Sequence, residues 1–329
     1  MNHLKSKILI SALFSGLALT TYADINVVAS VKPVHSLVSG VMEGAGKPDL
    51  IVQGSASPHT YSLKPSQAKQ LEEADLVFWM GHELESFLEK PLEAIATNAH
   101  VVELIDSSSL KKIKMREGGM FDAHAHDEHE GHDDHDEHEG HDDHDEHEGH
   151  DDHGHGEFDV HVWLDPENAK VLVNEIKLAL IEEDPSNASI YEANSKKINL
   201  KLDQLIDEVS SKLESEKGKG YVVFHDAYQY FEERFGMSAV GSITVSPEVV
   251  PGANRIRELK EKIVDLNATC VFSEPQFEPK LVSTVIEGTQ ANTGVLDPLG
   301  ASIKDGPELY FTLIRNMANS LQDCLSKKS

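Results

Sequence analysis

From residue 25 onward, short apolar runs alternate with amphipathic stretches. Runs at 25–29, 50–52, 76–80 and 101–104 predict strands, each followed by a helical stretch or loop, and runs at 221–224, 240–243, 270–272 and 295–296 repeat the scheme. Two α/β lobes with mostly parallel sheets follow from that alternation. Between them, 166–216 has high helix propensity and is interrupted at Asp184-Pro185-Ser186. Proline after an acidic residue suits a helix start, so one helix is predicted to end near Glu183 and another to begin near Ser186. The second holds no Gly or Pro from 186 to 217 and at about 1.5 Å per residue would reach roughly 45 Å. The predicted organisation is a first lobe at 24–185, a linking helix at 186–217 and a second lobe at 218–329. Lobes joined by one long helix should move little.

Two segments stand outside this periodicity. Residues 1–23 carry Lys5 and Lys7, an apolar run to about Leu19 and a small-residue end at Thr21-Tyr22-Ala23. The run is short for a bilayer span, so it reads as a secretory signal cleaved after Ala23. With no cysteine near the cut to take a lipid, the expected location is the periplasm, without membrane insertion. The second segment, at about 122–156, contains the nonapeptide His-Asp-Glu-His-Glu-Gly-His-Asp-Asp three times, at 126–134, 135–143 and 144–152. It has nothing apolar to bury against its ordering entropy, and a glycine in every repeat opposes a helix, so it is expected to be disordered without metal.

Charge sharpens the picture. The formal net charge is −28, but 122–157 alone holds seventeen acids and no Lys or Arg. The excess is local, and no basic face is offered to nucleic acid or anionic lipid. Cys270 and Cys324 lie far apart, which in an oxidising compartment favours a structural disulfide over a zinc-thiolate site. Such a bridge would stabilise the fold by about 3 to 4 kcal/mol and pin the carboxyl-terminal helix.

The chemistry rests on histidine. His124, His126, His129, His132, His135, His138, His141, His144, His147, His150, His153 and His155 mingle with carboxylates and offer many overlapping pairs for a divalent cation. Such a tract is redundant and unselective. Four residues elsewhere sit where a strand gives way to a loop or a helix begins, the place where open α/β sheets bind ligands: His59, His161, His225 and Asp297. His35 reads as a packed or backbone-bonded ring, His82 and Glu83 as neighbours of a strand end that could face a cleft. Asp226 and Glu274, at strand ends, could orient an imidazole N–H.

Four motifs carry these residues: Gly54-Ser55-Ala56-Ser57-Pro58-His59-Thr60-Tyr61-Ser62-Leu63-Lys64-Pro65-Ser66, His161-Val162-Trp163-Leu164-Asp165-Pro166, Phe224-His225-Asp226-Ala227-Tyr228 and Asp297-Pro298-Leu299-Gly300. Their types and order resemble the metal-specific solute-binding proteins of ABC importers, most closely the zinc-binding members, over essentially the whole mature chain. The resemblance implies two α/β lobes bridged by one long rigid helix, with the metal in the cleft between them. It implies His59 and His161 as ligands from the first lobe, His225 from the second and Asp297 at a position that often supplies an oxygen. It further implies a Cys270–Cys324 disulfide, a monomer, and partnership with a membrane permease and an ATPase. Pro58 departs from the pattern, since some zinc members have a glutamate beside the first histidine; the fourth position is open between Asp297 and water.

Manganese-type relatives present a carboxylate where His225 stands. Three imidazoles with one oxygen suit tetrahedral Zn²⁺ better than the harder ion. A catalytic zinc centre would share that set, but the chain has no His-Glu-x-x-His helix and no suitably spaced general base, so no enzyme activity is expected. A free zinc buffer using the histidine tract alone is the remaining alternative. No Gly-x-x-x-x-Gly-Lys-Ser/Thr loop occurs, which places ATP hydrolysis on another chain.

Overall fold

A computed structural model describes residues 25–116, 121, 157–244, 252–265 and 268–327. The predicted signal segment and the histidine-rich repeat lie outside them. Among the described residues no helix is long and apolar enough to cross a membrane.

Two four-stranded sheets, parallel throughout, form the centres of two α/β lobes. The first contains β1 (Val27–Ala29), β2 (Asp49–Leu50), β3 (Leu76–Trp79) and β4 (His100–Glu103) in the order β2-β1-β3-β4. The second contains β5 (Tyr221–Val223), β6 (Gly241–Ser242), β7 (Cys270–Ser273) and β8 (Asn292–Val295) in the corresponding order β6-β5-β7-β8. Inner strands β1, β3 and β5 are buried at every position, which is why they are apolar without alternation. Strand β8 sits at an edge, is half exposed, and starts three residues before the apolar pair 295–296 that announced it. Polar Asn292 and Thr293 pair with Cys270 and Val271 there, so backbone pairing rather than hydrophobicity defines the strand.

Helices α1 (Lys32–Val41), α2 (Pro65–Glu72), α3 (Ser86–Ala94) and α4 (Pro166–Glu183) belong with the first sheet; α6 (Gln229–Phe235), α7 (Ala253–Asp265), α8 (Pro279–Ile286) and α9 (Leu309–Leu325) belong with the second. Between the two sets runs α5 (Ala188–Leu213). Asp165 caps α4 by accepting the Glu167 N–H, with Pro166 at the first helical position. At Asp184-Pro185 the chain first makes a 3-10 turn, Pro185–Asn187, and α5 ends in another, Glu214–Glu216. The 26-residue α-helix is therefore about 39 Å long, shorter than predicted, because its last carbonyls are satisfied by a tighter turn.

Tyr191, Ser195, Ile198, Leu202, Leu205, Val209 and Leu213 recur every three or four positions and form the buried stripe of α5. That stripe packs on α1 and α4 of one lobe and α9 of the other. The apolar core is continuous across the lobe boundary, from Val27, Phe78 and Trp163 to Tyr221, Tyr310 and Leu321. A smaller cluster including Val222, Ile243, Leu259 and Val271 fills the other face of the second sheet.

Cys270 in β7 and Cys324 in α9 are joined in a disulfide that ties the last helix to its sheet. With a sequence separation of 54 between the partners, the loop-entropy argument gives about 4 kcal/mol. Replacing both by serine should lower the unfolding free energy by about that amount in urea titrations, with native circular dichroism retained below the transition.

Candidate metal centre

Each histidine is delivered by a different local device. His59 lies in a 3-10 turn, Pro58–Thr60, in the loop after β2; Pro58 opens that turn, and Tyr61 O–H donates to the Ile51 carbonyl behind it. His161 immediately precedes the 3-10 turn Val162–Leu164 that leads into α4. His225 follows β5 after Phe224. The first and last thus come from the carboxyl ends of strands in different sheets, as doubly wound topology favours.

The three rings converge. Their centroids are 5.6 Å apart for His59 and His161, 5.8 Å for His59 and His225, and 5.3 Å for His161 and His225. One nitrogen from each lies within 4.8 Å of the others, a spacing that a single metal ion can span. Around them are Ser57, Pro58, Trp163, Phe277, Pro298 and Leu299, a mostly apolar lining that limits water.

Carboxylates behind two of the rings decide which nitrogen faces inward. Asp159 Oδ1 is 2.7 Å from His161 Nδ1 and accepts the His161 backbone N–H at 2.9 Å. Glu274 Oε1 is 2.8 Å from His225 Nδ1. A carboxylate partner assigns the proton to Nδ1, leaving both Nε2 lone pairs directed at one another, 3.5 Å apart. Facing lone pairs repel; a divalent cation between them converts the repulsion into two coordinate bonds. Burial, joined by the two neighbouring rings, holds the His59 imidazole well below its ordinary pKa and so in the neutral form that ligates. Burial would lower His225 as well, but Glu274, Asp159 and Asp226 outweigh it and raise that ring's pKa.

The family model described as zinc-uptake complex component A, periplasmic (ZnuA), matches residues 27–324. The chain belongs to that family. A relative from Brucella suis biovar 1, named high-affinity zinc uptake system protein ZnuA, is 55% identical over 99% of this chain and all of its own length. One of the same name from Yersinia pestis is 36% identical over 92% of each. Among solved structures, a ZnuA crystal structure superposes with a TM-score of 0.73 at 22% identity, covering 92% of this chain and 99% of its own. The periplasmic zinc binding protein TroA from Treponema pallidum reaches 0.72 at 18% identity, over 93% of this chain and all of its own. At those identities the structures speak to the fold, two lobes bridged by a helix.

Asp297 is placed differently from the histidines. Its Oδ1 accepts N–H groups from Leu299 and Gly300 and from the Gln276 amide, and its Oδ2 accepts the Ala301 N–H at 2.6 Å. The carboxylate therefore caps the turn at 297–301, where Gly300 takes a φ of +72°. That turn carries the Pro298 carbonyl, which accepts the Trp163 indole N–H at 2.9 Å beside His161. His35 bonds to the Pro48 carbonyl through Nε2, the backbone role expected for it. His82 lies outside the centre and faces Glu89 at 3.7 Å. Of the two acids expected to orient rings, Glu274 does so, whereas Asp226 pairs with Arg116. Asp159 was not foreseen, although an acid two residues before a histidine can reach both its N–H and its ring; that spacing was the available signal.

Glu274→Gln or Asp159→Asn should each weaken binding of a histidine-ligated divalent metal by about 10- to 100-fold, measured by competition with a chelator. Either amide can turn an N–H toward Nδ1 and misplace the imidazole proton, so folding should survive while affinity does not.

Proposed function

We propose that this chain is the periplasmic solute-binding protein of a zinc ABC importer, which captures Zn²⁺ between its lobes and delivers it to a membrane permease driven by a separate ATPase. The observation that carries the reading is the triple-imidazole cluster, with two Nε2 lone pairs set face to face by buried carboxylates. Three imidazole nitrogens suit Zn²⁺, and family membership supplies the transport context. In this reading His59, His161 and His225 are the ligands. Asp297 was a candidate for the fourth; the four hydrogen bonds that occupy its oxygens favour water there instead. The boundaries that fit are a mature first lobe at 24–185, a linking helix at 186–217 and a second lobe at 218–329, after removal of 1–23.

The histidine-rich segment acts as an auxiliary collector in this scheme, raising local zinc without selecting it. The zinc is cargo, so the chemistry is capture and release, with no turnover required of the chain.

Isothermal titration of a 122–156 deletion with zinc should show one tight site. His59→Ala in that background should abolish it, with a loss beyond the about 100-fold expected for an orienting partner. A protein that lost tight binding on deletion alone would be a buffer, and unchanged 1:1 affinity in the His59 variant would refute the ligand set. Affinity should also fall with acid, because His225, whose pKa is raised by Glu274 and its neighbouring acids, must shed a proton to bind metal, whereas His59 is already held neutral by burial. Zinc binding measured between pH 5 and 8 checks the sign: proton release on binding, growing as the pH falls.

A further inference from the structure

Helix α6 begins three residues after Asp226 and is held to the other lobe by side chains along its length. The holding segment is a short stem. Met115 N–H donates to the Glu157 carbonyl at 3.1 Å and Asp159 N–H to the Ile113 carbonyl at 2.8 Å, joining 113–115 to 157–159 in antiparallel fashion. Tyr230 of α6 bonds both arms, its hydroxyl accepting the Ile113 N–H at 3.0 Å and donating to the Asp159 carbonyl at 2.8 Å. Gln229 donates to Asp159 Oδ2 at 3.3 Å, the carboxylate whose other oxygen orients His161. At the far end Arg234 grips Asp165 with two bonds, 2.6 and 2.8 Å.

Arg116 closes the stem. Its Nε donates to Asp226 Oδ2 at 2.9 Å, its Nη2 to Asp226 Oδ1, and its Nη1 to Glu232 Oε2 at 2.8 Å. Asp226 is the residue after His225, and Glu232 is a buried carboxylate on α6 whose other oxygen accepts the Tyr221 hydroxyl at 3.2 Å. One planar guanidinium thus joins the His225 loop, α6 and the stem that carries Asp159. From 117 to 169 the sequence contains no Lys or Arg, so the segment that follows offers no second guanidinium or ammonium in its place.

We propose that Arg116 is a positioning residue for the metal centre: it locks the His225 loop and α6 onto the stem that orients His161, and so slows release of a bound ion. This rests on the reading of the three histidines as a metal site. Opposing nitrogens from two lobes hold a shared ion only while the lobes stay in register, and Arg116 joins the lobes a single residue away from one of those ligands. Without it the stem loses its bonds to Asp226 and Glu232, and the two carboxylates, deprived of their shared cation, are drawn toward water, which favours separation of the stem from α6.

The test uses the full chain loaded with one equivalent of Zn²⁺ and chased with excess chelator. Arg116→Gln should release the tightly held zinc about tenfold faster or more, the scale of losing an orienting contact, with its association rate unchanged. Arg116→Lys should recover part of the retention, keeping the charge but not the fork. Asp226→Asn, which removes the pair from the other side, should also release faster, and Lys197→Ala, which breaks an exposed pair with Glu43, should not. In the metal-free protein, amide hydrogen exchange in α6 should rise for Arg116→Gln. Native-like folding with unchanged zinc release in Arg116→Gln would overturn the proposal, as would equal losses of retention and global stability in the Gln and Lys variants. If the unmodified chain shows no tight zinc phase, the metal-capture reading fails, and α6 exchange alone then decides whether Arg116 clamps the lobes.

Discussion

His161 Nε2 and His225 Nε2 stand 3.5 Å apart with their lone pairs opposed, and neither belongs to the other's lobe. Such an approach is unfavourable between neutral acceptors, so it must be held in place from behind. Asp159 and Glu274 do this at the rings, each taking the Nδ1 proton and fixing one tautomer. Behind the rings the core is continuous from one sheet to the other, with α5 packed against helices of both lobes. Close packing deforms little, so the distance between nitrogens is set by the body of the molecule rather than by loop flexibility.

The same constraint explains the division of labour among the acids. Asp159, Glu274 and Asp297 all border the centre, yet each is committed to orienting something else: a ring, a ring and a turn. Asp226, adjacent to a proposed ligand, is committed to Arg116. Imidazole nitrogens are left to face one another at the proposed metal position. That bias toward nitrogen over oxygen is what separates a zinc site from one for harder ions.

A binding protein must also let go. The stem at 113–116 and 157–159 spans the lobe boundary beside His161, and the histidine-rich repeat is inserted in the chain between its two arms. In the proposed scheme, collector and selective site are thus adjacent along the chain, with the hydrogen-bonded stem between them. In that scheme the repeat serves by redundancy; selection needs fixed geometry, which redundancy works against.

Much of this was legible in one dimension. Strand and helix alternation announced two parallel-sheet lobes because buried parallel strands must be apolar throughout, and Asp184-Pro185 marked a helix boundary because proline fits a first turn. His59, His161 and His225 stood out because each lies at a strand-to-loop or loop-to-helix junction. Their meeting at one point, within reach of a single ion, was decided only by the packing of two sheets across α5, which brings together residues more than sixty positions apart. So was the fate of the carboxylates. An aspartate in a loop can ligate metal, cap a turn or orient a ring with equal local plausibility, and the choice depends on which N–H groups the folded chain brings within 3 Å. For Asp297 these were its own turn's backbone amides, and for Asp159 they were the ring and backbone of His161. Local sequence records which chemical groups are present; the direction in which each points is a property of the assembled fold.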